Sequence, residues 1–217
     1  MRKTALVNNE CYHIYNRGTD KRKIFSDEID VNRFLESLIE FNNKEPIGSI
    51  YENSFRKKTA EALGRPTSKL VEIIAYCLNP NHYHLILKQQ TKGGISEFMK
   101  RLGGGYTKYF NEKYKRSGVL FQGKFKSVHI NSDRQLLYVS AYVNLNNRVH
   151  QLGRRTSKLV RSSWGEYIKE NKNEMCTTDI VLGQFRGPKD YKKFAKETLE
   201  IIQKGRGDEE FKKGLIE

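Results

Sequence analysis

The chain alternates between two hydrophobic rhythms. "ECYHIYNRG" (10–18) is rich in β-formers and alternates in polarity, which predicts a strand ended by Gly18. "SDEIDVNRFLESLIEFNN" (26–43) opens with Ser26 as a cap and places Ile29, Phe34, Leu35, Leu38 and Ile39 at helical spacing. "KLVEIIAYCL" (69–78) and "HYHLILKQ" (82–89) predict two strands joined antiparallel by the tight connection "NPN". A helix is expected from Ser96 through "EFMKRLGGGYTKYFNEKYK", despite Gly103, Gly104 and Gly105. "GVLFQGKFKSVHI" (118–130) predicts a long strand, followed by a helix, "RQLLYVSAYVNLNNRV", capped by Asp133. The order strand, helix, strand, strand, helix, strand, helix implies an α+β fold with helices packed on an antiparallel sheet.

The intervening segments are polar. "KEPIGSIYENSFRKKTAEALGRPTSK" (44–69) predicts an irregular or partly helical insertion. Residues 1–150 form the expected principal domain, and 151–217 a small, basic, mostly helical C-terminal extension ending in "PKDYKKFAKETLEIIQK". "LGRPTSKLVE" (63–72) and "LGRRTSKLVR" (152–161) share eight of ten residues. One such pair is not a repeat array. It reads either as two similar basic entries into a strand or turn, or as two equivalent phosphate-contacting loops.

Composition narrows the partner. The 217 residues carry 40 Lys and Arg against 25 Asp and Glu, a formal net charge of +15, which points to a polyanion. No apolar run approaches the roughly 18 residues of a membrane span. "MRKTALVNNE" contains no apolar stretch of the signal-peptide type. Cys11, Cys77 and Cys176 are scattered without CxxC spacing, so reduced thiols and a cytoplasmic location are expected.

Chemistry concentrates in three places. His82 and His84 flank Tyr83, and residues i and i+2 of a strand share a face. They read either as a half-buried, hydrogen-bonded pair or as two ligands of one metal ion. Tyr138, Tyr142 and Asn146 are spaced by four and stack on one helical face. This face is either a packing stripe or, if it covers the histidines, a source of an oxygen ligand (Asn146) and a nucleophile (Tyr142). Met99 to Lys126 holds eight basic residues and one acid, Glu112, interleaved with Tyr106, Tyr109, Phe110, Tyr114, Phe121 and Phe125. Cations for phosphates beside rings for unpaired bases suggest nucleic-acid contact. Candidate contacts are Arg17, Lys100, Arg101, Lys108, Lys113, Lys115, Arg116, Lys124 and Lys126.

In order along the chain, "YHIYNRGTDKRKIF", "AYCLNPNHYHLIL", "GISEFMKRLGGGYTKYFNEKYKRSGVLFQGKFKS" and "LLYVSAYVNLNN" resemble the blocks of the single-strand DNA transposases with a histidine–hydrophobe–histidine (HUH) motif. The similarity is greatest to the REP-associated tyrosine transposase branch with its IS200-like domain, and it covers about residues 10 to 150. The resemblance implies a ferredoxin-like sheet carrying His82 and His84, a nucleophile at Tyr142 and a metal site completed by Asn146. Asn147 stands where the family usually has proline, and Tyr83 where it often has Val or Met. It further implies Mg²⁺ or Mn²⁺ as cofactor and single-stranded DNA, with hairpin structure, as partner of a monomer or homodimer near the bacterial nucleoid. The expected reaction is cleavage and rejoining through a 5′-phosphotyrosine. Three rivals are a domesticated, non-catalytic binder of structured DNA or RNA, a replication initiator or relaxase, and a water-using nuclease in which Tyr142 only packs.

Overall fold

The computed structural model describes residues 5–50, 52, 68–149, 158–170 and 175–205. Among these, strands β1 (Cys11–Arg17), β2 (Val71–Asn79), β3 (His82–Gln89), β4 (Lys126–Ile130) and β5 (Arg161–Ser162) form one antiparallel sheet in the order β4-β1-β3-β2-β5. The main helices are α1 (Glu28–Glu40), α2 (Gly94–Lys113), α3 (Asp133–Asn144) and, near the C-terminus, α4 (Pro188–Gln203). The first four strands, α1 and α2 run β1-α1-β2-β3-α2-β4, the ferredoxin-like arrangement expected from the sequence, and β5 widens it at the β2 edge.

Alternation along β1 and β3 splits the interior into two layers. Tyr12, Ile14, Tyr83, Leu85 and Leu87 pack with Phe34, Phe98, Leu102 and Tyr106 beneath α1 and α2. Cys11, Cys77 and Ile86 pack with Val139, Tyr142, Tyr191 and Ala195 beneath α3 and α4. Residues paired across strands share a face. Opposite His84 stand Tyr15 and Cys77, and opposite His82 stand Arg17 and Asn79, so all of these point toward the α3 side.

The C-terminal segment belongs to that second layer. Tyr191 is fully buried, with its hydroxyl 2.8 Å from Asn144 Nδ2 and 3.2 Å from Ser140 Oγ on α3. Asn144 Oδ1 accepts from Ser163 Oγ at 2.6 Å, and Ser163 also bonds the backbone of Tyr76 in β2. Both copies of the TSKLV segment run into strands at their described ends, β2 and β5. Residues 63–67 and 152–157 of the two copies, and most of the 44–69 insertion, lie outside the described residues.

Several local expectations are corrected. Asp27, not Ser26, caps α1: its carboxylate accepts from Asp30 N while Asp30 accepts from the Asp27 backbone, a reciprocal capping box. Ile29 and Ile39 are 64% and 54% exposed; Val31, Phe34 and Leu38 form the buried stripe instead. Helix α2 starts at Gly94, two residues before Ser96. Ser132, whose hydroxyl accepts from Gln135 N, caps α3 in place of Asp133. The long strand expected over 118–130 shortens to β4. Gly118 and Gly123 adopt φ of +81° and +68°, which breaks an extended run, and the loop meets the sheet through an isolated bridge from Phe121 to Gly18.

Candidate active site

Two tight connections build the site. The turn between β2 and β3 is only Pro80–Asn81, and it is pinned because Pro80 O accepts from Ile24 N and Phe25 N while Asn81 O accepts from Gly18 N. This fixes the start of β3, hence His82. On the other side, α3 ends at Asn144, Leu145 leaves helical geometry (φ −112°, ψ 15°), and a short turn resumes at Asn146. After that interruption Asn146 lies on the sheet beside His82.

The geometry at His82 is specific. Its Nδ1 lies 2.7 Å from Asn81 Oδ1, an acceptor, so the ring proton sits on Nδ1 and Nε2 keeps its lone pair. Nε2 is 3.1 Å from Asn146 Oδ1, and the Asn79 amide donates to both, at 3.0 and 2.7 Å. Two electron-pair donors are thus held side by side and aimed at the same positive hydrogens. The T-shaped ring of His84 follows at 5.2 Å between centroids. Tyr142 packs edge-on against His84 at 5.5 Å and His13 at 5.9 Å. Asn146 is fully buried, and its Nδ2 has no hydrogen-bond partner. Such an orphan costs about 1–3 kcal/mol.

This donor set fits a divalent ion. A separation of about 3 Å between ligand atoms is the edge of an octahedron with ligands at roughly 2.1 Å, and imidazole beside an amide oxygen is a mixed nitrogen–oxygen donor set that first-row divalent ions accept. Among the described residues no group of three or more His, Cys, Asp or Glu is placed to hold a metal, so an ion here has to use an amide oxygen.

In front of the histidines opens a cavity of about 490 Å³, lined by Tyr15, Asn16, Arg17, Lys21, Asn81, His82, His84, Gln122 and Lys126. Its cations face the histidines: Arg17 is hydrogen-bonded to Gln122, and Lys126 Nζ lies 5.7 Å above the Tyr15 ring. Tyr142, 4% exposed, is not among the residues that line this cavity; its ring packs edge-on against His84.

The remaining candidates separate into groups. Lys100, Lys108 and Lys124 line a second groove of about 800 Å³ on the α2 side of the sheet, with Met99, Phe121 and Phe125. Arg101, Lys113 and Arg116 are engaged internally. Arg101 bonds Glu97 at 2.8 Å and Asn43 O at 2.6 Å, and Lys113 bonds Asp27 and Asp30 at 2.7 Å. Arg116 reaches Asn111 and Val119 O. Lys115 is exposed with φ +50°. Tyr138 turns away to stack on Phe194 of α4 at 5.4 Å, so the face formed with Tyr142 and Asn146 is not continuous. Sequence reasoning missed His13, Asn79 and Asn81. The strand period was the available signal for His13, since it sits on the inward phase of "YHIYNR".

Comparison with known proteins bears on the family and the fold. The model of the IS200-like transposase family matches residues 6–147. No curated relative was detected by sequence. Among solved structures, a REP-associated tyrosine transposase bound to a REP hairpin superposes with a TM-score of 0.55 at 11% identity, over 81% of this chain and 88% of that one. With the fold, the strand-borne histidine pair and the family match in agreement, the chain belongs to the IS200-like transposase family.

Proposed function

We propose that the protein is a metal-dependent transposase that binds single-stranded DNA carrying a hairpin, cuts it and rejoins it through a 5′-phosphotyrosine on Tyr142. The observation that carries this reading is the closure of a 60-residue gap: Tyr142 packs on His84 while Asn146 Oδ1 lies 3.1 Å from His82 Nε2. A divalent ion held by His82, His84 and Asn146 would supply Lewis-acid polarisation of the scissile phosphate. Arg17, Lys21 and Lys126 face the same cavity and bring the phosphate to the histidines.

The Tyr142 phenol loses its proton, its oxygen attacks phosphorus in line, the bond from phosphorus to the 3′ oxygen breaks, and that oxygen takes up a proton. Attack by a second 3′-hydroxyl reverses these bond changes and joins strands. Because Tyr142 is 4% exposed, attack calls for its hydroxyl to be turned toward the phosphate in the cavity. The hairpin reading rests on the ligand of the similar transposase structure and on the fold shared with it.

The test is a denaturing gel. Wild type with Mn²⁺ and labelled hairpin DNA should give a protein–DNA adduct, and Tyr142→Phe should give none. An adduct that survives Tyr142→Phe overturns the nucleophile assignment. Absence of any adduct with tightly bound cognate DNA favours the non-catalytic binder.

A further inference from the structure

Three of the five histidines meet on one face of the sheet, and the site described above uses two of them. His13, on β1, is fully buried. Its Nε2 lies 2.9 Å from Nδ1 of His84, and the two rings stack at 5.1 Å with 23° between their planes. It sits diagonally across the β1–β3 ladder from His84, being paired with Ile86. A polar ring buried among Cys11, Ile86 and Tyr142 is costly unless hydrogen-bonded, so this contact holds both rings in place.

Two imidazole nitrogens 2.9 Å apart share one proton. Nδ1 of His84 faces His13, so the metal site proposed above takes its Nε2, and a ligating nitrogen must carry a lone pair. The His84 proton therefore sits on Nδ1 and is donated to His13 Nε2, with the proton of His13 on its own Nδ1. Ligand histidines are oriented in this way by whatever accepts their second N–H, most often a carboxylate or carbonyl. We infer that His13 is a positioning residue that locks the tautomer and ring plane of His84 for metal binding. This rests on the metal site proposed above. The partner site on His82 is built by the same logic, with Asn81 Oδ1 accepting from Nδ1.

The test measures Mn²⁺ binding in the absence of DNA, by titration calorimetry or by the resonance of free Mn²⁺. His13→Phe keeps an aromatic ring but offers no acceptor, and it should weaken Mn²⁺ binding about 10–100-fold. His13→Gln retains an amide oxygen at similar reach and should stay close to wild type. Unchanged affinity in His13→Phe, or equal losses in both variants, overturns the inference. His82→Ala is the control for the site itself. If wild type binds no Mn²⁺, or His82→Ala binds as well as wild type, the metal site and the role of His13 fall together. If His82→Ala abolishes binding and His13→Phe does not weaken it, only the role of His13 falls. Should His13→Phe fail to fold, ¹⁵N imidazole spectra of wild type decide: His84 protonated on Nδ1 supports the inference, and His84 protonated on Nε2 overturns it.

Discussion

The glycine run in α2 offers a stability test in which three identical residues are expected to behave differently. A Cβ at Gly103 or Gly104 meets nothing within 4 Å, whereas one at Gly105 would lie 2.6 and 2.7 Å from Cζ and Cε2 of Phe41. Phe41, at the C-terminal end of α1, is 6% exposed and packed in the core, so its ring has little room to yield. Alanine in a helix interior is favoured over glycine by roughly 0.5–1 kcal/mol. Gly103→Ala and Gly104→Ala should each gain that amount, raising Tm by about 1–4 °C in a chain of this size. Gly105→Ala gains the same propensity but overpacks the core, at roughly 1–3 kcal/mol. Its net effect is a loss of up to about 2 kcal/mol, lowering Tm by several degrees. Thermal unfolding followed by circular dichroism reads all three. If Gly105→Ala stabilises as much as Gly103→Ala, the packing of Phe41 against α2 is wrong.

Further outcomes follow from the same geometry. Tyr191→Phe leaves the buried Asn144 amide and Ser140 without the tyrosine hydroxyl and should cost about 1–3 kcal/mol in chemical denaturation; no loss would mean the network adds nothing. Lys126→Ala should weaken DNA binding and lower the log–log salt slope by about 1, and an unchanged slope would remove Lys126 from the phosphate path. Burial pushes the thiol of Cys11 up to about 11 and that of Cys77 up to about 12, so native protein at pH 8 should resist alkylation that proceeds readily in denaturant; rapid native labelling of either would contradict their packing. The Lys113 hydrogen bond holds the Asp27 carboxyl below its ordinary range, so this pair stabilises above the unfolded carboxylate range and the benefit fades as pH falls. Asp27→Asn should flatten that acid limb by less than about 1 kcal/mol, given an Asp27 side chain 43% exposed; an unaltered acid limb would count against the pair.

The candidate site was legible in part. His82 and His84 could be placed together because a strand has a period of two, and the turn at Pro80–Asn81 is marked by its own residues. Tyr142 and Asn146 came from helical spacing and family resemblance. The same spacing wrongly drew in Tyr138, whose ring the C-terminal helix claims through Phe194. Arg101 and Lys113 looked like phosphate contacts because sequence shows charge but not partners; the backbone carbonyl of Asn43 and the carboxylates of Asp27 and Asp30 are remote in sequence. His13 stood in plain view, but its significance lies in a nitrogen 71 positions away.

Local rules were enough for much of this molecule. Polarity period, turn chemistry and charge, all short-range properties, determine most of the strands and helices and the α+β class, and they point to a polyanion partner; the ferredoxin-like topology was implied only by family resemblance. What they leave open is every relation between distant side chains. Three glycines read identically until Phe41 is packed against one of them, and one histidine reads as core until its ring nitrogen faces another. The sequence also cannot tell that Tyr142 is buried against His84 while Asn146 stands beside His82, since that depends on where α3 breaks and how the sheet receives it. Those relations are set by long-range packing and by the pairing of buried polar groups, which one-dimensional spacing does not encode.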